Sequence, residues 1–399
     1  MKRREFVAGM ASTAAFPVFN AHAAAPTPGM EINAKNVDQY VDVLAPSWAQ
    51  RVREGEVIRV FETTPASQII MPEWQAQTKK NRGKAKLLDK AGTLAFEDGN
   101  PWPGGIPFPE PKTAQEVMVN FLYHIEADEW NTKPQMLPMT RLDLIRDGKA
   151  IKQQVTILTR RRMTSRVFNA PLGSEPGYET ELERTATYFL QPYDVKGLAL
   201  LNIVYRDQTK LPDSYAYVPI LRRVRRLPTS QRSDSQGGTD LTLGDTNGFS
   251  DPLGMWDFKI LGRKPMLASL TRAPDPLAPP APIPLKEGRF ISPYASAEMR
   301  DTFVIEAMPK YDTIYGKKIL YLDADTFRPT VSDFYDKQGK LLKAYHIYWS
   351  WDNWPNPRWI FIHNLQTKSV TVAHQFSIAP NTGASVKYWQ EGSLQEFAR

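Results

Sequence analysis

The chain has 399 residues, a formal charge of +7, 42% hydrophobic residues and no cysteine. The missing cysteine excludes disulfides, thiolate metal sites, iron–sulfur clusters and a lipidated N-terminal Cys. The positive balance is too diffuse to argue for nucleic acid as a partner, and suits an anionic lipid surface or an anionic ligand.

Lys2-Arg3-Arg4-Glu5-Phe6-Val7 opens the chain with an arginine pair. A weakly apolar stretch to about Val18 follows, then the small-x-small run Ala21-His22-Ala23. This pattern is read as a twin-arginine-type export signal over 1–23, which places the mature chain in a bacterial periplasm. The stretch is too short to span a bilayer, which needs about 20 apolar residues. Residues 24–150 read as a helical and loop-rich N-terminal region covering a sheet, and 151–399 as the sheet itself, with 24–399 as one compact domain.

Within the first region, Val37, Tyr40, Val41 and Leu44 fall on one helical stripe, with Asn36 as N-cap and Pro46 as stop. A second helix is expected from Thr113 to about Glu126, with Thr113 and Glu116 in capping-box positions. Between them, Gly99 to Pro111 holds too many prolines for helix or central strand. Its Trp102, Ile106 and Phe108 are expected to pack onto an apolar surface.

From Ile151 the period becomes that of strands. Strands are predicted near 151–160, 178–190, 197–206, 214–218, 220–226, 255–262, 301–308, 317–323, 328–335, 340–350, 357–366 and 370–378. Asp336-Lys337-Gln338-Gly339 is a hairpin turn, and Asp207-Gln208 and Gly316-Lys317 read as further turns. Pro274–Lys286 is a proline-rich connector and Ser230–Asp251 a Gly/Asp/Ser-rich loop. Strands 197–205 and 341–349 are apolar on both faces and need two apolar neighbours, one of which can be a ligand cavity. Glu179, Glu181 and Glu183 alternate with Thr180, Leu182 and Arg184, the pattern of a half-exposed strand.

The fold class is therefore mainly β with a few helices. Several runs spread over the chain resemble one family. They are Asn36-Val37-Asp38-Gln39-Tyr40 with Leu44 and Pro46, Gly104-Gly105-Ile106-Pro107-Phe108-Pro109, and Tyr217 to Arg226. Asp245-Thr246-Asn247-Gly248-Phe249, Trp256 with Leu261-Gly262-Arg263-Lys264, Leu320-Tyr321-Leu322-Asp323 and Tyr335 to Leu341 complete the set. The chain resembles the DUF1329 family, often labelled outer-membrane lipoprotein-sorting proteins. The resemblance implies a LolA/LolB-like fold: a curved, incomplete antiparallel β-barrel with helices and loops over the concave side. It also implies periplasmic residence and movement of lipids or other hydrophobic compounds.

Arg222, Arg223, Arg225 and Arg226 are the candidate ligand-binding residues, for an anionic headgroup or at the rim. Period 2 sends Arg223 and Arg225 to one face and Arg222 and Arg226 to the other. Ile106, Phe108, Phe249 and Trp256 are the candidate lid or cavity lining. Arg160-Arg161-Arg162 and Arg166 read as a solvated strand end, or as a membrane-surface contact. Asp234, Asp240, Asp245 and Asp251 read as turn formers, their spacing not being that of an EF-hand. His124, His346, His363 and His374 are too scattered for a zinc motif. Trp349, Trp351, Trp354 and Trp359 are expected in the core or at its rim. No metal, cofactor or catalytic residue is expected.

The sequence favours a non-enzymatic carrier or binding protein for a lipid, lipoprotein or other hydrophobic molecule, with inner- or outer-membrane transport components as further partners. Two other readings fit it: a periplasmic hydrolase using a carboxylate pair, and a ligand-free adaptor of a membrane transporter.

Overall fold

Thirteen strands carry the architecture. A computed structural model describes residues 25–131, 140–147, 149–228, 232, 234–272, 285–286, 289–290, 295–351, 354–375 and 379–398. The expected signal (1–23) and the connector from Pro274 to Pro284 lie outside the described residues. In chain order the strands are β1 (Thr140–Arg146), β2 (Lys149–Arg162), β3 (Glu181–Gln191), β4 (Ala199–Tyr205), β5 (Asp213–Val218) and β6 (Arg223–Leu227). Then follow β7 (Trp256–Ala268), β8 (Ala295–Pro309), β9 (Tyr315–Asp323), β10 (Pro329–Asp336), β11 (Leu341–Trp351), β12 (Pro355–Asn364) and β13 (Ser369–Gln375).

Their spatial order runs from β7 to β13 and continues from β1 to β6, every neighbouring pair antiparallel. The order is cyclic: β13 zips onto β1 from Thr140↔Gln375 to Arg146↔Ser369. Among the described residues β6 has a ladder with β5 and β7 with β8, and no register joins β6 to β7. The sheet therefore curves toward an up-and-down barrel but stays open along that seam, and the described segment 234–255 crosses it. Four short strands extend the sheet: Ile58–Phe61, parallel to the start of β8, with Glu31–Ile32 beside it, and Glu129–Asn131 with Ala379–Pro380 against the end of β2.

Residues paired across antiparallel strands share a face. On the convex face, Val304, Ile319, Tyr321 and Val331 are covered by Val37, Tyr40, Leu44 and Trp48. Further round, Leu201 and Ile203 are covered by Trp389 and Leu394 of the C-terminal segment. On the concave face, Phe303, Leu320, Phe334 and Tyr345 meet Val117, Phe121, Trp102, Phe249 and Trp256. The proline-rich loop, with Ile106 and Phe108, packs onto that same concave core.

Most local expectations hold. Each of the twelve predicted strands has a counterpart, and Gly339 (φ 80°) closes the 336–340 turn. Thr113 caps the helix Ala114–Leu122, α3 after α1 (Pro46–Arg53) and α2 (Pro72–Asn81), by accepting from the Glu116 amide at 3.1 Å. Others are corrected. The 36–45 stretch forms two short 3-10 turns and lies on the convex face, not over the concave one. Pro46 does not stop a helix; it is the first residue of α1 (Pro46–Arg53), where its missing N–H costs nothing. A helix over Pro72–Asn81, α2, was not expected, because only Trp74 and Asn81 of its ten residues are buried. Gly105, at φ 84°, is required where the loop crosses α2, since a Cβ there would lie 2.4 Å from the Thr78 amide nitrogen. β1 is also absent from the predicted strands although it sits between β13 and β2. Gly316-Lys317 is inside β9 rather than a turn. β3 is not half-exposed: Glu181, Leu182 and Arg184 are all buried.

The aspartates of the 234–251 segment are pins rather than turn formers, apart from exposed Asp234. Asp240 accepts from Ser369 and Asn364, and Asp251 from Arg232 and the Trp256 indole. Asp245 is fully buried between Lys318 and Lys343, each at 2.9 Å, and also accepts from the Tyr315 hydroxyl at 2.6 Å. Lys318 sits in an aromatic cage, 4.7 Å from the Phe334 ring centre and 5.0 Å from that of Trp256. Although burial opposes it, the two ammonium groups hold the Asp245 carboxyl well below the usual carboxylate range. Asp245→Asn strands two buried cations and is expected to cost about 3–5 kcal/mol in urea unfolding at neutral pH. The difference should shrink as pH falls toward the folded pKa, and a pH-independent loss under 1 kcal/mol would contradict the pinning role.

Asp333 of β10 shows the opposite case. The Ser47 amide at the start of α1 donates to it at 3.3 Å, yet burial raises its carboxyl to about 6. The folded state therefore holds this proton more tightly than the unfolded chain does. Its contribution is fully present below about pH 4 and is lost as pH rises through 6, a change of about 3 kcal/mol. Asp333→Asn should flatten the stability profile between pH 4 and 7. An unchanged slope would show that another group sets it.

Candidate functional site

The concave side is not uniformly filled. Over β8 to β11 it is occupied by α3, the proline-rich loop and the pinned 240–256 segment. Over β1 to β4, with β12 and β13, a cavity remains. The centre of a water molecule can sit in about 170 Å³ of it, and its gross empty space with the open mouth is about 1310 Å³. An engineered cavity of about 150 Å³ is enough to take benzene.

Strand period 2 builds the floor. Gln154, Thr156, Leu158 and Arg160 of β2 point in, as do Glu183, Thr185, Thr187 and Phe189 of β3. Leu142, Ile360, Ile362 and Ala373 of β1, β12 and β13, with Val204 of β4, complete an apolar patch. The wall opposite is the seam-crossing segment, through Gln236, Thr239, Leu241, Leu243 and Asn247. Gln154 holds the segment by donating to the Gly237 carbonyl at 3.2 Å. A smaller chamber of about 60 Å³ adjoins it, lined by Phe121, His124, Leu182 and Phe249.

Arg160 and Glu183 line both chambers. Arg160 donates through Nε to Glu183 at 2.7 Å and lies 5.6 Å from the Trp130 ring. It belongs to a larger knot that corrects the expectation of a solvated strand end: Arg160, Arg161, Arg162 and Arg166 are all buried. Arg161 pairs with Glu129 and Glu175 and donates to the Ala384 carbonyl at 2.9 Å. Arg162 grips the Ile125 carbonyl with Nε at 3.1 Å and Nη2 at 2.8 Å, between the rings of Trp74 and Tyr123. Burial and the neighbouring Arg160 pull its pKa down to about 9, so it stays charged at neutral pH. Arg166 donates to the Pro171, Arg162 and Asn169 carbonyls.

His124 donates from Nδ1 to the Phe121 carbonyl, and burial holds its pKa well below the ordinary value, so it is neutral. His346, 0% exposed, bonds Ser269 at 2.7 Å on the convex side, as a packed strand residue. Among the described residues no group of three or more His, Cys, Asp or Glu is placed to hold a metal. Trp349, Trp354 and Trp359 are buried; the Trp351 side chain lies outside the described residues.

Of the candidate residues, Phe249 lines the smaller chamber, while Trp256 is core and its indole is spent on Asp251. Ile106 and Phe108 pack against the core without lining either chamber. The four arginines of the basic strand are exposed and line neither chamber. By register, Arg223 and Arg225 share the face of Val218 and Ala216, which continues the cavity side from Leu200 and Asn202. Arg226 lies on the other face and pairs with Asp213. Arg222 has left the strand for a turn at φ 49°. The Thr- and Leu-bearing inward row of β2 and β3 was the signal for the real floor, and it was readable as period 2.

The family model described as "Protein of unknown function (DUF1329)" matches residues 31–395, and the chain belongs to that family. An uncharacterized protein of Pseudomonas aeruginosa is 25% identical over 335 residues, 79% of this chain and 68% of its own length. Among solved structures, a DUF1329 family protein from Desulfovibrio piger aligns with TM-score 0.50 at 18% identity, over 70% of this chain and 97% of that one. A putative outer membrane lipoprotein-sorting protein domain from Vibrio parahaemolyticus aligns with TM-score 0.49 at 19% identity, over 70% and 97%. The likeness to the D. piger protein is one of fold.

Glu183→Gln removes the counter-charge of a buried arginine and is expected to lower stability by about 3–5 kcal/mol. Arg160→Met with Glu183→Leu should recover most of that loss, because no charge is then left stranded. A double variant as unstable as the single one would contradict this assignment.

Proposed function

We propose that this DUF1329 member is a periplasmic carrier or binding protein that holds a lipid or other hydrophobic molecule, non-covalently, in the cavity between the concave sheet face and the seam-crossing segment. One observation carries the reading: an unfilled hollow whose floor, among Thr, Gln and Asn side chains, holds an apolar patch of Leu142, Leu158, Phe189, Val204, Ile360, Ile362 and Ala373. Each CH₂ taken out of water there contributes about 0.8 kcal/mol, so even a short chain gains affinity without covalent chemistry. The Thr, Asn and Gln side chains around that patch, with the Arg160–Glu183 pair, offer hydrogen bonds to a polar end.

The carboxylates of the two chambers favour binding over hydrolysis. Glu183 is engaged by Arg160, and Asp251 by Arg232, Trp256 and Tyr311. Neither is arranged as a free acid–base partner of the other. Among the described residues no helix is long and apolar enough to cross a membrane.

The test is to purify the protein from periplasm, extract it with organic solvent and identify what is released by mass spectrometry. Near-stoichiometric acyl or other apolar molecules are expected. Leu158→Trp with Ile362→Trp fills the hollow and should weaken a fluorescent fatty-acid probe at least tenfold, about 1.4 kcal/mol. Unchanged probe affinity in a folded double variant would sink the proposal.

A further inference from the structure

The end of the sheet at which β2 begins and β5 turns into β6 is apolar and basic together. Four of the nine large hydrophobic side chains exposed among the described residues are here: Ile151, Tyr193, Ile220 and Leu221. Ile220 is 90% exposed and Tyr193 94%. Tyr193 comes from the β3–β4 connection and Ile220 and Leu221 from the β5–β6 turn, while Ile151 is the third residue of β2, beside the β1–β2 turn. Strands spaced about 4.8 Å apart bring the β3–β4 and β5–β6 turns onto one short edge, and the start of β2 projects past its last pair with β3, Val155↔Gln191. The β3–β4 loop touches the β5–β6 turn, since a Cβ on Gly197 would lie 3.2 Å from Pro219.

Around these side chains stand Lys149, Lys196, Arg222, Arg223 and Arg225, all exposed. Among the described residues none of the three arginines has an ion-pair partner, and the acidic groups of these connections are Asp147 and Asp194. Arg222 adds a second observation. It occupies a left-handed conformation, φ 49°, at the tip of the turn, where glycine fits without strain. A long cation kept at a strained, exposed position points to a use for its charge.

We propose that this edge docks on an anionic lipid bilayer, with Ile220, Leu221 and the Tyr193 ring entering the headgroup region and the arginines meeting lipid phosphates. Apolar tips inside a basic collar are what an interfacial anchor needs. Tyrosine suits the same depth, with an apolar ring and a polar hydroxyl. Guanidinium forks fit phosphate oxygens. The inference rests on this surface and not on what the cavity holds.

Vesicle sedimentation of the mature protein tests it, with phosphatidylcholine vesicles against vesicles containing one third phosphatidylglycerol, at low and high salt. Binding is expected only to the anionic vesicles and should weaken with salt. Arg222→Gln/Arg223→Gln/Arg225→Gln should lose roughly a hundredfold in affinity. Ile220→Ser/Leu221→Ser should lose binding with an unchanged melting temperature. Arg222→Gly should melt no lower than the wild type yet bind the vesicles less well. No preference for anionic vesicles, or full binding by the triple variant, overturns the proposal. So does a dimer in sedimentation velocity that the Ile220/Leu221 variant dissociates while vesicle binding is absent, because the occupant is then a second copy.

Discussion

Four arginines taken out of water at one end of β2 hold the layers of this molecule together. Arg160 ties β2 to β3 through Glu183, and Arg161 ties it to Glu129 and to the C-terminal segment at Ala384. Arg162 clamps the chain leaving α3 at Ile125 and lies between Trp74 of α2 and Tyr123. A buried guanidinium loses several kcal/mol of hydration, so each must be matched by carboxylates and carbonyls in fixed places. That requirement fixes where the N-terminal region, the C-terminal segment and the sheet can meet. Without cysteine, this polar knot does the cross-linking that covalent bridges supply in disulfide-bonded proteins.

The cavity follows from how the sheet closes. A cyclic meander that zips β13 onto β1 leaves, among the described residues, a seam between β6 and β7, and the segment 234–255 lies over the concave side there. The crossing segment is driven deep over β9 to β11 by Asp245 with its two lysines, and is held near β13 by Asp240. It cannot also fill the concave face of β2 and β3. A void beside a pinned segment is therefore a consequence of topology and charge, and the apolar patch on its floor needs nothing further because those strands already alternate.

Much of this was readable in the sequence, for identifiable reasons. Long strands with period 2, the Asp336–Gly339 turn and the Thr113–Glu116 box carry strong local chemistry, and they occur where expected. The failures share a cause, since tertiary partners decide what a local pattern becomes. Pro46 reads as a stop or a start depending on which side is helical. α2 lacks an apolar stripe because one tryptophan does its packing. The arginine run reads as solvated until Glu129, Glu175 and Glu183 are seen to converge on it from three segments. Their clustering just before and after β2 was the available signal. The basic strand was noticed for its unusual charge, but the left-handed turn at Arg222 and the exposure of Ile220 are properties of the fold.

An atomic-resolution structure of the protein isolated from its native cells tests most directly whether the hollow accepts an apolar guest. Continuous elongated density between Leu158, Ile362 and Leu241, too long for ordered water, is the expected result. A floor closed by Leu241 and Leu243 collapsed onto the strands, or a chain of separate water peaks, would contradict it.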